Sequence, residues 1–127
     1  MAWEDGEQLE DDDLFSDALL KYEEALRHGD NDIFRWKRAR VLNKQERWGA
    51  AIRELDCAVV YAPWRADLYA QRGVNLTYLA TSLQGAARTR LLVRGKADVR
   101  RAVAIDSLDL MSKWAVKWMR EHGGSLR

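Results

Sequence analysis

The feature that most constrains this chain is a pattern of residues that returns after about 34 positions. Arg38-Ala39 returns as Arg72-Gly73, and Leu42 returns as Leu76, in each case 34 residues later. A period of this length is typical of a solenoid, in which one small supersecondary unit is repeated along the chain. We therefore expect a stack of similar units rather than a single irregular core.

A second series supports the same period and indicates helices. It places a small, a large and a small residue at intervals of four and three, and it occurs twice, 33 residues apart: Ala18, Tyr22 and Ala25, then Ala51, Leu55 and Ala58. This spacing puts all three side chains on one helix face. Small residues there let two helices approach closely, and stacked neighbours complete a core that one pair cannot bury alone.

Together with Trp48 and Pro63, these series resemble the tetratricopeptide repeat, a 34-residue pair of antiparallel helices. The resemblance implies an all-α fold, a right-handed superhelix of about three repeats followed by a C-terminal capping helix. The chain would form a single domain over 1–127. Its predicted segments are repeats at 1–31, 32–65 and 66–106 and the capping helix at 107–122.

The third repeat departs from the pattern because its closing series arrives about ten residues late. The extra length lies between Thr77 and Lys96, and we expect each helix to be longer by about one turn, with a break near Gln84-Gly85. Ser107 is the predicted cap of the last helix. The predicted buried face of that helix consists of Leu108, Met111, Ala115, Trp118 and Met119.

Composition and charge narrow the function classes. The chain is 47% hydrophobic and 32% charged, as in ordinary globular proteins. Cys57 is the only cysteine, so neither an internal disulfide nor a cysteine cluster for a metal is expected. We expect no cofactor, no metal and no catalysis, because neither His28 nor His122 has partners at metal-ligand spacing. Without a signal-peptide pattern or an apolar run long enough to span a membrane, we expect an intracellular, cytoplasmic protein.

The resemblance also implies a binding surface. Repeats of this family commonly hold a segment of another protein in a concave groove lined by the first helix of each pair. The residues predicted to line it are Trp3, Glu7, Trp36, Arg40, Asn43, Lys44, Ala70, Val74 and Thr77. An aromatic ring beside cations favours an acidic or aromatic-containing segment. The alternative is that Trp36 packs between repeats while Arg40 and Lys44 are ordinary solvated charges.

One known use of the family is not matched. Repeats that clamp the C-terminal carboxylate of chaperones carry lysine, asparagine and arginine at five defined positions. This sequence has Trp3, Glu7, Lys37, Asp67 and Gln71 at those positions. Chaperone-tail binding by that route is therefore not expected.

Two further surfaces are candidates. A basic stretch predicts contact with phosphates or an acidic protein, although it lacks aromatic residues for base stacking, and a solvated helix face is the alternative: Arg88, Arg90, Arg94, Lys96, Arg100 and Arg101. Trp114 and Trp118 lie four residues apart on the last helix, where they either pack against the core or, if exposed, mark an interface.

The distribution of charge suggests a third mode of association. Residues 1–32 hold 12 acidic and 2 basic side chains, a net of −10, whereas residues 33–127 hold 8 acidic and 19 basic ones, a net of +11. The sequence thus predicts a protein-interaction adaptor or assembly subunit. The alternatives are a nucleic-acid-associated protein using the 88–101 face and salt-sensitive self-association between the acidic and basic ends.

Overall fold

The fold is seen in a computed structural model that describes residues 15–122. These residues form α-helices joined by short turns, as the all-α prediction requires: α1 (Phe15–Arg27), α2 (Asp32–Lys44), α3 (Trp48–Tyr61), α4 (Ala66–Ala80), α5 (Gly85–Ile105) and α6 (Leu110–His122). Trp3, Glu7 and the predicted first helix of the first repeat lie outside the described residues. The boundaries of the repeats and their superhelical arrangement stay predictions.

Local sequence signals explain where the helices begin and end. Asn31 caps α2, because its side-chain oxygen accepts a hydrogen bond from the backbone N–H of Phe34 at 2.9 Å. The break before α2 contains Gly29, which follows the end of α1, and Asn31 supplies the capping bond. After α2 the chain turns through Glu46, whose φ of 58° lies in the left-handed region.

The chain divides into two compact units, Met1–Tyr61 and Ala62–Arg127. In the first unit α2 packs on α1 and α3, and in the second unit α4 packs mainly on α5 and α6. Both predicted small–large–small series are buried. The same series appears a third time on α5, again buried: Gly95, Val99 and Ala102.

This third series explains the ten extra residues of the third repeat. Gly73 and Gly95 face each other across α4 and α5, whereas the equivalent residues of the second repeat, Ala39 and Ala51, are ten positions closer in sequence. Counted from Gly73 and Ala39, α4 ends two residues later than α2, and the turn after it is one residue longer. Counted back from Gly95 and Ala51, α5 begins seven residues earlier than α3. The prediction of one extra turn per helix is therefore wrong. The length lies mainly in two added turns at the start of α5.

The start of α6 also differs from the prediction. The helix begins at Leu110, and its cap is Asp109, whose carboxylate accepts hydrogen bonds at 2.8 Å from both the backbone N–H and the hydroxyl of Ser112. Ser107 is not the cap, because the aspartate two residues later offers the side-chain acceptor at the helix start. Leu108 consequently precedes the helix and is exposed instead of packing on the core.

Candidate functional site

The predicted binding residues of the second repeat share one face of α2. At about 100° per residue, their side chains fall within an arc of roughly 100°. We call this face the α2 surface: Ile33, Trp36, Arg40, Asn43 and Lys44. Leu42 on the opposite face is buried, and so are Ala39 and Val41 on the two flanks. The α2 surface is therefore the side of α2 that points away from the core of its unit.

An aromatic ring between two cations lies at the centre of the α2 surface. The guanidinium carbon of Arg40 lies 4.8 Å from the centroid of the Trp36 ring, and the Lys37 ammonium lies 5.7 Å from it. Both distances fall within the range of cation–π attraction. Trp36 is half-buried and Lys44 is exposed, one turn beyond Arg40. The result is a positively charged surface with an aromatic centre.

Asn43 carries an unusual polar atom on the same face. Its side-chain oxygen is buried, and within the described residues no hydrogen-bond partner reaches it. Leaving a buried acceptor unpaired costs about 1–3 kcal/mol, and native structures keep few such groups. The unpaired oxygen therefore lowers the stability of the fold at Asn43, one of the residues that the sequence predicted for binding.

The structure adds one residue that the sequence analysis missed. Ile33 lies on the α2 surface one turn before Trp36, and 52% of its surface is exposed. An exposed isoleucine beside an aromatic ring extends the apolar part of this face. The signal was available in the sequence, because residue 33 precedes Trp36 by three positions and shares its helix face.

The predicted binding residues of the third repeat are not on a surface. Val74 is only 1% exposed, and Ala70 and Thr77 are equally buried, so the prediction that they contact a partner is wrong. Helix α6 covers this part of α4: the Thr77 hydroxyl lies 3.2 Å from the Met119 sulfur. The capping helix therefore occupies the face that the resemblance assigned to a ligand.

An ion-pair network fixes α2 against α3 behind the α2 surface. Glu54 of α3 is buried, and its two carboxylate oxygens accept hydrogen bonds from Arg35 at 3.0 Å and from Arg38 at 2.8 Å. Two guanidinium groups on one carboxylate give charge-assisted bonds that hold the orientation of α2. These ion pairs therefore fix the position of α2, and with it the α2 surface, against α3.

The same network extends to the turn before α2. Arg35 also donates two hydrogen bonds of 2.8 Å to Asp30, and these bonds lower the pKa of the Asp30 carboxyl. The pKa of the Arg35 guanidinium is raised, mainly by its bonds to Asp30. The pKa of the Tyr61 phenol at the end of α3 is raised, mainly by its interaction with the Asp30 carboxylate. Arg35 thus links the turn before α2 to the middle of α3.

The basic stretch of α5 separates into different faces. At about 100° per residue, Arg90, Arg94 and Arg101 form one stripe, whereas Lys96 and Arg100 lie roughly 100° or more away from it. Arg101 packs on the Tyr69 ring of α4, with 4.9 Å from its guanidinium carbon to the ring centroid. Six cations close in sequence therefore do not form one continuous basic face.

The two tryptophans of α6 have different environments. Trp118 is buried, with its ring centroid 4.7 Å from that of Tyr78 and 4.5 Å from that of His122. Trp114 stacks on Trp118 at 6.3 Å but keeps 47% of its surface exposed. Trp118 is a packing residue, and only Trp114 is available to a partner.

Metal binding and membrane insertion are two further roles that the described residues bear on. Within residues 15–122, no group of three or more histidine, cysteine or acidic side chains is placed to hold a metal ion. No helix in that range is long and apolar enough to cross a membrane. Cys57 is half-buried, as expected from its position on α3.

Comparison with solved structures decides the fold. The chain is similar to the first TPR of Spaghetti (RPAP3) bound to an HSP90 peptide, SRMEEVD, with a TM-score of 0.79 and 15% identity over 98% of this chain and 91% of that one. It is also similar to the Arabidopsis OM64 TPR domain, with a TM-score of 0.77 and 20% identity over 95% of this chain and 93% of that one. This chain has the tetratricopeptide-repeat fold.

The tetratricopeptide-repeat fold is reached here by a divergent sequence. No protein-family model and no curated protein matches the chain. The buried small–large–small series explains how the fold persists, because helix packing needs residue sizes at a few positions rather than particular residues elsewhere. Surface residues are free to differ between proteins of this fold, so function has to be argued from the surface of this chain.

Proposed function

We propose that the chain is a non-catalytic adaptor or assembly subunit that binds a segment of another protein on the α2 surface. The observation that carries the proposal is the half-buried Trp36 ring between Arg40 and Lys37. Tryptophan and arginine are the residue types most enriched at the energetic centres of protein interfaces. The exposed Ile33 adds apolar contact area on the same face.

The charge of the α2 surface supports an acidic segment that also carries an apolar or aromatic residue. Arg40 and Lys44 supply positive charge one helical turn apart, and arginine binds carboxylates with paired hydrogen bonds. One structural neighbour is described as bound to the peptide SRMEEVD, which holds three acidic residues. That neighbour supports the class of partner, a short acidic segment, for the tetratricopeptide-repeat fold.

The side chains present here nevertheless favour a partner other than that peptide. At the positions where the family places its carboxylate clamp, Lys37 is buried, Asp67 pairs with Arg65 at 2.6 Å, and Gln71 donates a hydrogen bond to Asn75. An acidic residue at one of these positions repels a terminal carboxylate. Titration of the chain with SRMEEVD, followed by calorimetry, is expected to show no binding; micromolar binding would contradict this assignment.

Charge reversal on the α2 surface tests the proposal. The variant Arg40→Glu/Lys44→Glu is compared with wild type in an affinity pull-down from nuclease-treated native lysate. The matched control, Arg47→Glu/Arg53→Glu, makes the same change of charge at exposed sites outside the α2 surface. We expect a protein partner that is retained by the control and lost by the α2 variant.

Two other outcomes would contradict the proposal that the partner binds the α2 surface. A partner retained by both variants would move the interface elsewhere, and Trp114→Ala would then be the next variant. A partner lost on nuclease treatment would indicate a nucleic acid instead of a protein. Thermal unfolding of both variants near the wild-type temperature establishes that any loss of binding is local.

A further inference from the structure

The first half of α5, which includes the two added turns, carries cations that are unpaired among the described residues. Within the described residues, no ion pair or hydrogen bond engages the side chains of Arg88, Arg90, Arg94 and Lys96. The sequence explains why, because no acidic residue occurs between Asp67 and Asp98. Asp67 is paired with Arg65, and Asp98 is paired with Arg72. These four cations therefore lack an acidic partner within their own unit.

Two of the unpaired cations flank an exposed apolar side chain. Val93 is 60% exposed, and Arg90 and Arg94 lie beside it, one turn apart, on the outer face of α5. With the exposed Ala97, these residues occupy an arc of about 100° at 100° per residue. We call this arc the basic face of α5. It has an apolar centre with arginine at its edge, the composition of a protein interface.

The start of α5, where the basic face begins, is not favoured by its own charges. The first turn of α5 contains Arg88 and no acidic residue, whereas the helix dipole favours negative side chains there. The added turns also precede the buried series that begins at Gly95, so they are not needed to pack the repeat. A charged extension that weakens its own helix end is explained by contact with something acidic.

Helix α1 presents a surface of the complementary kind. Leu20 is 61% exposed, and the exposed carboxylates of Asp17, Glu23 and Glu24 surround it within about 120° at 100° per residue. Glu24 has only a long contact of 3.9 Å to Lys21, and no partner engages Asp17 or Glu23 within the described residues. Asp17, Leu20 and Lys21 also line a shallow depression of this face. We call this arc the acidic face of α1.

We propose that the acidic face of α1 in one copy of the chain binds the basic face of α5 in a second copy. Leu20 and Val93 meet at the centre, and carboxylates pair with arginines around them. The contact is heterologous, so it joins copies head to tail. It is independent of the α2 surface, because neither face contains a residue of that surface.

Two other occupants fit the basic face less well. The exposed residues of α5 include no aromatic side chain for base stacking, and a chain with a net charge of +1 has little long-range attraction for a polyphosphate. A lipid surface needs more apolar area than Val93 and Ala97 supply. The acidic face of α1 offers both opposite charge and an apolar centre.

Sedimentation velocity of the full chain at low and high salt tests the proposal. A contact between single helices is small, so we expect association at chain concentrations of roughly 0.1–1 mM. The mean mass should exceed one chain at about 0.02 M salt and fall toward one chain at about 0.5 M, where screening is strong. A mass of one chain under every condition would overturn the proposal. A single-chain mass combined with binding of a short RNA duplex would assign the basic face to phosphates.

Charge exchange makes the test specific. Arg90→Glu/Arg94→Glu and Asp17→Lys/Glu23→Lys should each weaken self-association at least about tenfold, because each places like charges opposite one another. A mixture of the two variants should associate again, since each then offers the face that the other needs. The control Lys113→Glu/Lys117→Glu, with the same charge change on α6, should associate as wild type does. Association of both variants alone, or of neither their mixture nor the wild type, would refute the contact.

Discussion

The second and third repeats place the same kind of ion pair between their two helices, but with different small residues at the helix contact. Arg38 of α2 pairs with Glu54 of α3, and Arg72 of α4 pairs with Asp98 of α5 at the equivalent place. In both pairs the acidic residue comes three positions after the small residue that opens the buried series. The arginines recur 34 residues apart, so the ion pair is part of the repeat itself.

The two ion pairs differ in the length of the acidic side chain and in the small residues beside it. Gly73 and Gly95 bring α4 and α5 so close that a Cβ atom on Gly73 would lie 2.6 Å from the backbone oxygen of Gly95. The short Asp98 binds Arg72 through both oxygens, at 2.8 and 3.0 Å. In the second repeat, alanines occupy the glycine positions, and the longer Glu54 bridges two arginines. The shorter acidic residue thus accompanies the glycine pair.

The largest expected effect breaks the ion pairs themselves. Glu54→Gln removes the carboxylate charge that Arg38 and Arg35 share, although Arg35 keeps Asp30, and should destabilise the chain by about 3 kcal/mol. Asp98→Asn removes the carboxylate charge that faces Arg72 alone and should cost about 2 kcal/mol. Urea unfolding at neutral pH measures both values. Equal or reversed costs would show that Arg35 contributes nothing to the Glu54 network.

The next largest effect is expected from exchanging the small residues at the helix contacts. Gly73→Ala forces the α4 and α5 backbones apart and should cost about 2–3 kcal/mol through overpacking. The reverse change, Ala39→Gly, should cost only about 1 kcal/mol, which is the loss of helix propensity. Thermal or urea unfolding compares the two variants. A neutral Gly73→Ala would show that the glycine contact is not required.

Substitutions in the turns between paired helices should change stability less, and in opposite directions for the two repeats. Glu46 and Gly85 both adopt positive φ, at 58° and 62°, but only the third repeat places glycine there. Glu46→Gly should stabilise the chain by up to about 1 kcal/mol, because it relieves left-handed strain, and Gly85→Ala should destabilise it by about 1 kcal/mol. Opposite signs in urea unfolding support this account, and a destabilised Glu46→Gly would oppose it.

The smallest effect concerns pH and the second repeat alone. Arg35 lowers the pKa of Asp30, so the folded state favours the ionised carboxylate and gains stability above the ordinary pKa of 3.8. This contribution should disappear as the pH falls through the lowered pKa. Because Asp30 is largely exposed, Asp30→Asn should cost less than about 1 kcal/mol at neutral pH and nothing once the carboxyl is protonated. A cost that persists in acid would assign the effect to packing.

Residue patterns in the sequence predicted the helical core well. The buried series depends only on small and large residues at fixed intervals, which a helix places on one face whatever surrounds it. The same reasoning brought Trp36, Arg40, Asn43 and Lys44 together on α2. It did not assign the ten extra residues to α5, because length alone does not indicate which helix grows.

The remaining errors arise from contacts between helices that are distant in sequence. Val74 has the spacing of a surface residue, and only the packing of α6 on α4 shows that this face is covered. Both aspartate and serine are common helix caps, so the sequence alone did not distinguish Asp109 from Ser107. The cap is Asp109 because α6 begins at Leu110. The six cations of α5 looked like one surface because they are neighbours in sequence, although each residue turns the helix by about 100°.

The most direct test of the account is crosslinking from the α2 surface. A photoreactive amino acid is placed at Ile33, and a control chain carries it at Val60, which is exposed on α3. In native extract we expect Ile33 to crosslink to one protein in quantity, Val60 to give little, and Arg40→Glu/Lys44→Glu to abolish the Ile33 product. Equal crosslinking from both positions, or an Ile33 product that survives charge reversal, would contradict the claim that this face binds the partner.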